Sequence, residues 1–385
     1  MSATATIRAG ISYHNAGLYH LMGLGVGDPA AYLEVTDSSG PRKTILIIRD
    51  VELDRAREVC KADEICAPAH YTPAGGLSAD REVATAQATA ECLKQHGVDA
   101  VQGDRSLPLS FVHVLGEAGL QVSCDLDLGV LERRQKSAEE IEMIREAQRV
   151  TEGAIQLACE TIARAEVNSE GVLVHEGAEL TSERMRALVH HYFVDRAYTG
   201  PSFIMAGGPH GAIGHHIGYG PLRTGQPVVV DIYPTNRSTH YCGDCTRTVV
   251  HGDIPDEVAA MHATVVKAKA AAIASVRAGV TGKEVHATTC GVIEGDGYLT
   301  GTPGEERDDE RAVLDHGTGH GIGLEVHEPP LLDAKGIELL VGDVVTVEPG
   351  LYKKGLGGVR VEDIVAVTEE GCLNLNTLPE GLDWK

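Results

Sequence analysis

Four acidic residues stand where apolar, strand-forming runs of this chain would otherwise place hydrophobic side chains. Asp231 ends VVVD, and Asp244 stands shortly before TRT. Glu348 ends VVTVE, and Glu362 interrupts VRVEDIVAV. Burying one ionised carboxylate in an apolar strand is unfavourable by several kcal/mol unless an opposite charge accompanies it. Four such residues need a common source of positive charge, and divalent cations supply it because carboxylate oxygens bind Mn, Co, Zn and Fe. The sequence therefore predicts a buried metal centre built on strands.

A glycine-rich segment, HGTGHGIGLEVHEPP, adds imidazole groups to these carboxylates. It carries His316, His320 and His327, and its glycines allow the backbone to approach a ligand closely. A further pair, His215 and His216, lies sixteen and fifteen residues before the first of the four acidic residues. Imidazole together with carboxylate is a ligand set typical of transition-metal sites.

Length and charge narrow the class of protein. At 385 residues the chain is too long for one ordinary core, so we expect two domains. Apolar residues make up 43% and charged residues 23%, which indicates a folded protein rather than a disordered one. With 56 acidic against 33 basic residues, the formal charge is -23. A surface of this kind repels phosphate backbones and anionic lipid, so we expect neither nucleic-acid nor membrane partners.

The composition does not point to export. The N-terminal residues lack a basic stretch followed by an apolar one, and no run of about 18 apolar residues occurs. Nine cysteines without a framework spacing favour free thiols in a reducing compartment. We therefore expect a cytoplasmic protein.

The chain changes character near residue 135. Before that point strand-like and helix-like stretches alternate, which predicts an α/β layer. Ser137, three residues before Glu140, forms a capping-box pattern that opens a helix. We therefore place the domain boundary at Arg134, with domains 1–134 and 135–385. Other predicted elements are a strand at Lys43–Ile48, helices at Asp54–Ala62, Ala84–His96 and Pro255–Ala278, a strand at Val359–Val367 and a solvated loop at Thr302–Arg311.

Five motifs of the chain resemble, in order, those of the pita-bread metallopeptidases: VVVDIYP, YCGDCTRT, HGTGHGIGLEVHE, VVTVEPG and GGVRVED. That family includes methionine aminopeptidase, Xaa-Pro aminopeptidase and Xaa-Pro dipeptidase (prolidase). Residues 1–134 resemble the creatinase-type N-terminal domain of the two proline-specific enzymes, and the fourteen-residue step from Glu348 to Glu362 is similar to theirs. The resemblance implies an α+β catalytic domain with two pseudo-symmetric halves, each with helices over a curved antiparallel sheet, preceded by a smaller α/β domain.

The resemblance also implies a role for each residue of the site. It implies two divalent metal ions, with manganese expected and cobalt, zinc or iron as alternatives, held by Asp231, Asp244, His320, Glu348 and Glu362. A metal-bridging hydroxide would attack the scissile carbonyl, with Glu348 as general base. Asp244 and Glu362 would bridge both metals. His327 would stabilise the oxyanion, and His215 would contact the scissile amide or transfer a proton to the leaving nitrogen. His316 would line the substrate pocket, and Arg360 would fix the bridging carboxylates.

Strand geometry bears on two of these assignments. Arg360 and Glu362 are two residues apart, so on one continuous strand their side chains would share a face. The step from Asp231 to Asp244 is thirteen residues, longer than is usual in the family, and we expect the additional residues to lengthen a hairpin turn. A register shift of one residue would instead turn Asp244 away from the metals.

Two further patterns leave alternatives open. His215 and His216 both qualify as the histidine upstream of the metal site, with His210 as a third candidate, and we favour His215. Cys242-x-x-Cys245 resembles a redox or zinc pattern, but no second cysteine pair accompanies it. We interpret these two cysteines as structural.

The activity implied is hydrolysis of the bond between an N-terminal residue and proline, in a peptide with proline at its second position, by a homodimer. A dipeptidase needs a cation for the free carboxylate of Xaa-Pro, for which Arg196, Arg223 and Arg237 are candidates, whereas an aminopeptidase needs an open groove. Two rival functions share the fold: a metal-free creatinase-like amidinohydrolase and a non-enzymatic peptide-binding module. Proteins of both kinds lack part of the ligand set, so the complete set of five disfavours them.

Overall fold

The computed structural model describes residues 3–36, 41–301 and 310–385. The chain divides into two compact units, Met1–Arg133 and Arg134–Lys385. This division falls one residue before the boundary expected from the sequence. Most of the loop predicted at Thr302–Arg311 lies outside the described residues.

The first unit contains a mixed six-stranded sheet with the strand order β4-β3-β2-β1-β5-β6. Pairs β1–β2 and β2–β3 are antiparallel, whereas β1–β5, β3–β4 and β5–β6 are parallel. The elements from the start of the chain are β1 (Ala3–Gly10), α1 (Ala16–Met22), β2 (Ala30–Thr36), β3 (Arg42–Ile47), α2 (Leu53–Val59), β4 (Glu64–Cys66), α3 (Arg81–Gln95), β5 (Val98–Gly103), α4 (Leu109–Glu117), β6 (Gln121–Cys124) and α5 (Val130–Arg134).

Helix α3 shows how the sequence determines this unit. It begins three residues before its predicted start because the Asp80 carboxylate accepts hydrogen bonds from the main-chain N–H groups of Glu82 and Val83. Its apolar face, including Leu93, packs with Ile7 and other buried strand side chains in one core. The alternation of strands and helices therefore gives the expected α/β unit.

The second unit contains two successive helix pairs, each followed by strands. Its elements are α6 (Ala138–Ala163), β7 (Glu166–Val167), β8 (Leu173–His175), β9 (Ala178–Glu179), α7 (Ser182–Val194), β10 (Tyr198–Thr199), β11 (Ile204–Gly207), β12 (Pro227–Ile232), β13 (Thr235–Asn236), β14 (Cys245–Val250), α8 (Asp256–Ser275), α9 (Gly282–Gly295), β15 (Leu299–Thr300), β16 (Val313–Leu314), β17 (Gly319–Gly321), β18 (Glu328–Leu332), β19 (Val344–Val347), β20 (Gly350–Lys353), β21 (Gly357–Arg360), β22 (Asp363–Val367) and β23 (Cys372–Asn374). Most strand pairs in this unit are antiparallel.

The predicted capping box at the start of α6 is present. The Ser137 hydroxyl accepts from the Glu140 N–H at 3.3 Å, and the Glu140 carboxylate accepts from the Ser137 N–H at 2.8 Å. Such a cap stabilises a helix by about 1 kcal/mol. The helix then buries Ala154 and Ile155 against β12 and β14. Helix α8, predicted at Pro255–Ala278, begins one residue later at Asp256 and ends three residues earlier at Ser275.

The strand predicted at Val359–Val367 is wrong as one element. It is divided into β21, which pairs with β20, and β22, which pairs with β19. The two strands belong to different sheets, ordered β15-β16-β20-β21 and β18-β17-β19-β22-β23. The chain changes sheet at Val361 and Glu362, so Glu362 lies where the two sheets meet.

The segment after β23 has no regular secondary structure but is held at many points. The Glu152 carboxylate accepts hydrogen bonds from the main-chain N–H groups of Thr377 and Leu378. Trp384 is buried in the core beneath α6 and β12. Within the described parts of the chain, no helix combines the length and apolar character that a membrane span requires.

Candidate metal centre

Three of the predicted metal ligands come together in the interior of the second unit. Asp244, His320 and Glu362 each offer a ligand atom, and these atoms lie within 4.8 Å of one another. All three side chains are buried. Asp244 precedes β14, His320 is the central residue of β17, and Glu362 connects β21 to β22. Strands from three separate sheets must therefore fold correctly to assemble the cluster.

Asp231 and Glu348 are not part of this compact group, but their charges act on it. Their negative charges, after burial itself, raise the pKa of the Glu362 carboxyl. Asp231 lies in β12 and forms an ion pair with Arg360. Glu348 directly follows β19, and its Oε1 lies 3.3 Å from His320 Nε2. Burial raises the pKa of Glu348 to about 7, and the Arg360 charge opposes that shift.

The orientation of His320 is set by its main-chain neighbour. Its Nδ1 lies 3.1 Å from the Gly321 carbonyl oxygen, which can only accept, so Nδ1 carries a proton. Burial lowers the pKa of His320, which favours the neutral ring. The Nε2 lone pair then faces Glu348 Oε1 and Asp244 Oδ2, at 3.3 and 3.8 Å. A lone pair directed at carboxylate oxygens is stabilised by a cation between them.

The carboxylates also fit a bound cation. Asp244 Oδ1 and Glu362 Oε1 are buried and have no hydrogen-bond partner among the described residues. Burial raises the pKa of both carboxyls well above the usual range, and the neighbouring carboxylates raise it further. A guanidinium, that of Arg360, contacts Asp231 and lies 4.0 Å from Glu348. One such charge does not balance four acidic groups, so the set is suited to divalent metal ions.

The longer step between the two aspartates does not displace Asp244 from the cluster. Strands β12 and β14 pair without a shift from Pro227↔Val250 to Ile232↔Cys245. The additional residues lie in the connection between the two strands. This connection includes β13, which pairs with β10. The connection is therefore longer while Asp231 and Asp244 remain next to the same ladder.

The prediction that Arg360 and Glu362 share one strand face is wrong. Arg360 ends β21, whereas Glu362 lies after that strand, so the two do not share one strand face. They are connected through Thr246, whose hydroxyl donates to Glu362 Oε2 at 2.8 Å and accepts from Arg360 Nε at 3.3 Å. Thr246 was not predicted as a site residue, although it stands two positions after Asp244 in the motif DCTRT.

His316 belongs to a chain of hydrogen bonds that leads through Tyr352 to Arg360. Its Nδ1 donates to the Gly317 carbonyl at 2.6 Å, so its Nε2 accepts from the Tyr352 hydroxyl at 2.8 Å. The Tyr352 oxygen accepts in turn from Arg360 Nη1 at 2.7 Å. Burial lowers the pKa of His316 to about 3. The sequence pattern did not single out Tyr352, because a tyrosine in a strand is usually a core residue.

The other predicted histidines occupy different surroundings. The His327 ring is edge-on to that of His320, with centroids 4.3 Å apart. His216 stacks on His210, with centroids 4.4 Å apart, and its Nδ1 accepts from the Gly218 N–H. A charge on His215, by contrast, acts to lower the pKa of both His320 and His327, so His215 lies within electrostatic range of the cluster. This arrangement favours His215 over His216 as the upstream site residue.

The two motif cysteines are buried free thiols. Cys245 Sγ lies 3.7 Å from the Glu362 carbonyl oxygen, and Cys242 Sγ lies 3.9 Å from the Leu324 carbonyl oxygen. Each sulfur therefore has its own main-chain acceptor, in agreement with a structural interpretation.

Two of the arginines considered for a substrate carboxylate are engaged elsewhere. The Arg196 guanidinium lies 3.7 Å from the Tyr192 ring centroid, and Arg223 Nη1 donates to the Glu170 carbonyl at 2.9 Å. Arg237 is exposed. These positions leave the choice between a dipeptidase and an aminopeptidase open.

The sequence profile of metallopeptidase family M24 matches residues 142–369, which is more than half of the chain. This chain belongs to metallopeptidase family M24. Its M24 relatives include the probable dipeptidase PepE of Mycobacterium tuberculosis, 36% identical over 206 residues, which are 52% of this chain and 51% of that protein. The chain thus spans about half the length of this curated relative. The Xaa-Pro dipeptidase of Pyrococcus horikoshii is 29% identical over 285 residues, 72% of this chain and 73% of that protein.

The fold of this M24 chain is also that of solved structures. The X-Pro aminopeptidase from Thermotoga maritima superposes with a TM-score of 0.77 at 25% identity, covering 98% of this chain and 96% of that one. The match includes the N-terminal unit as well as the M24 region. The resemblance to the pita-bread metallopeptidases and the α+β fold class are therefore confirmed.

Proposed function

We propose that this M24 chain is a metal-dependent peptidase that hydrolyses the bond between an N-terminal residue and proline. The observation that carries the proposal is the buried group of Asp244, His320 and Glu362, with two carboxylate oxygens that lack a hydrogen-bond partner among the described residues. The proline preference rests on relatives named Xaa-Pro dipeptidase and X-Pro aminopeptidase. An imide nitrogen carries no N–H and its ring fixes φ, so a pocket can distinguish such a bond.

The proposed ligands are Asp231, Asp244, His320, Glu348 and Glu362, and they would hold two divalent ions, with manganese expected. When bound, these ions lower the pKa of water and so supply a hydroxide nucleophile near neutral pH. Carboxylate-rich ligand sets suit Mn or Co, and Zn and Fe also bind such groups.

The remaining steps belong to the protein's own side chains. Glu348 accepts the proton of the attacking water as general base. His327, beside His320, donates a hydrogen bond to the oxygen on which negative charge develops. His215 contacts the scissile amide, and His316 lines the pocket in the orientation that Tyr352 gives it. Arg360 holds Asp231 in place through their ion pair.

The two candidate upstream histidines can be separated by substitution. His215→Ala is expected to lower kcat/KM about a hundredfold, the lower range for loss of a proton-transferring group. His216→Ala is expected to change it by less than about threefold, since its ring stacks on His210 and its Nδ1 accepts from the Gly218 N–H. Steady-state kinetics of both variants on one Xaa-Pro substrate compares them. Equal losses in the two variants would contradict the assignment of His215.

The proposed activity is tested with matched peptides. Protein loaded with Mn is incubated with Ala-Pro, Ala-Pro-Ala and Ala-Ala, and free alanine is measured. Cleavage of Ala-Pro alone identifies a dipeptidase, and cleavage of Ala-Pro-Ala identifies an aminopeptidase. Cleavage of Ala-Ala alone would contradict the proline preference. Bound metal without any cleavage would favour the non-enzymatic peptide-binding module.

We further propose the homodimer, the cytoplasmic location and the creatinase-like nature of residues 1–134 that the resemblance implies. Light scattering of the purified protein tests the first, since a homodimer has twice the 40.8 kDa mass of the chain. Creatine hydrolysis by metal-free protein tests the rival amidinohydrolase. We expect none, because the site retains all five candidate ligands.

A further inference from the structure

Gln148 is a fully buried polar residue in the middle of α6, with 0% of its surface exposed. Glutamine is among the residues most often exposed, so a buried one has a specific partner. Here both hydrogen bonds of the side-chain amide go to the main chain of one residue, Asp244. Gln148 Nε2 donates to the Asp244 carbonyl at 2.7 Å, and the Asp244 N–H donates to Gln148 Oε1 at 2.9 Å.

The position of Asp244 explains why it needs such a partner. The β12–β14 ladder ends at the pair Ile232↔Cys245, so Asp244 lies one residue beyond it. Asp244 is nevertheless buried, and a buried main-chain N–H or C=O without a partner is unfavourable. The amide of Gln148 supplies one donor and one acceptor, as a neighbouring strand would. Only one orientation of that amide satisfies both hydrogen bonds, because the reverse would set N–H against N–H.

The residue before Asp244 brings the chain against the same helix. A Cβ atom at Gly243 would lie 2.3 Å from Thr151 Oγ1 and 2.8 Å from the Ala147 carbonyl oxygen. Glycine is therefore required for the main chain to come this close to α6. The helix supports the segment at two adjacent points, by direct contact at Gly243 and by hydrogen bonds at Asp244.

The carboxylate of Asp244 is held much less firmly than its main chain. Its Oδ1 has no hydrogen-bond partner among the described residues, and its Oδ2 lies 3.8 Å from His320 Nε2. Before a metal binds, the location of this carboxylate therefore depends on where the main chain is fixed. Gln148 is the side chain that fixes it through two hydrogen bonds.

We propose that Gln148 is a positioning residue that places Asp244 for metal binding. The inference rests on the proposed function, in which Asp244 is one of the five metal ligands. Residues that orient a metal ligand typically change metal affinity about 10- to 100-fold when they are replaced. Gln148 touches neither substrate nor metal and acts only through Asp244.

Two variants and one control test this role. Gln148→Met retains the length of the side chain but removes both hydrogen bonds to Asp244. Gln148→Glu retains an acceptor for the Asp244 N–H and loses the donor, which gives a second variant closer in structure to the native residue. Gln156→Met is the matched control, because Gln156 is an exposed glutamine of the same helix whose amide donates to Glu160 and not to Asp244.

Manganese binding is measured by titration calorimetry on metal-free protein, together with the thermal midpoint of each metal-free variant. We expect Gln148→Met to weaken binding about 10- to 100-fold and Gln148→Glu to weaken it less, whereas Gln156→Met stays within about threefold. The electron paramagnetic resonance spectrum of the Mn-loaded protein is the second readout. Since Asp244 is a proposed ligand, we expect Gln148→Met to change this spectrum.

The outcomes separate this inference from the proposed function. If wild-type protein binds no manganese, the proposed function fails. If wild type binds manganese and both Gln148 variants bind it with the wild-type affinity and spectrum, the positioning role is wrong. A lower thermal midpoint with unchanged manganese affinity in either variant would likewise overturn it, because Gln148 would then be only a structural residue.

Discussion

Replacing Asp244 by asparagine is expected to lower kcat/KM for an Xaa-Pro peptide by about a thousandfold or more. Asparagine retains the shape of the side chain but removes a negative charge from the proposed ligand set. Metal ions contribute several kcal/mol of transition-state stabilisation, which corresponds to about that factor in rate. Kinetics of variant and wild type, each measured with the same excess of manganese, tests this expectation.

The same substitution should not destabilise the metal-free protein. Asp244 is buried among other carboxylates and one of its oxygens lacks a hydrogen-bond partner among the described residues, so asparagine relieves charge repulsion. The urea midpoint of metal-free Asp244→Asn should therefore equal or exceed that of metal-free wild type. Asp253→Asn, at an exposed position, is the matched control and should retain wild-type activity. An active Asp244→Asn variant would contradict its assignment as a ligand.

The second large effect is on stability and concerns Arg247, whose side chain is fully buried in β14. A guanidinium has five N–H donors, and five oxygen acceptors surround this one. They are the carbonyl oxygens of Thr246, Glu362, Leu378 and Pro379 and the carboxylate of Asp363. Arg247→Met removes all of these donors and leaves Lys269 as the cation beside the Asp363 carboxylate. The free energy of unfolding should therefore fall by about 3–5 kcal/mol. Urea unfolding followed by circular dichroism measures the change.

Two comparisons show whether the loss arises from the buried donors. Arg149→Met removes an arginine whose side chain is 74% exposed, and it should change stability by less than about 1 kcal/mol. Arg247→Lys retains the charge but offers three donors instead of five, so it should recover only part of the loss. If Arg247→Met were as stable as wild type, the conclusion that these buried hydrogen bonds stabilise the protein would be contradicted.

Local sequence patterns predict part of the fold and part of the candidate site. The capping box at Ser137 predicts the start of α6 because its two hydrogen bonds lie within one turn of the chain. Asp244 and Glu362 were candidate ligands because a carboxylate in an apolar run conflicts with burial unless a charge compensates it. In both cases the relevant interaction is visible in a few adjacent residues.

Other features depend on partners distant in the chain. The strand-like run through Val359–Val367 contains no glycine or proline, but its hydrogen-bond partners change from β20 to β19, and only the sheet pairing shows the interruption. Gln148 lies 96 residues before Asp244 and looks like an ordinary polar helix residue in the sequence. The stacking of His216 on His210, which supports the choice of His215, is likewise not encoded by sequence spacing.

Metal content tests the central claim most directly. Purified protein is stripped with a chelator, reloaded with manganese, freed of excess metal and measured by elemental analysis, with Asp244→Asn treated in parallel. The account predicts about two manganese ions per wild-type chain and a clear loss in the variant. Wild-type protein without bound metal, or a variant that retains both ions, would contradict the assignment of these carboxylates as a metal centre.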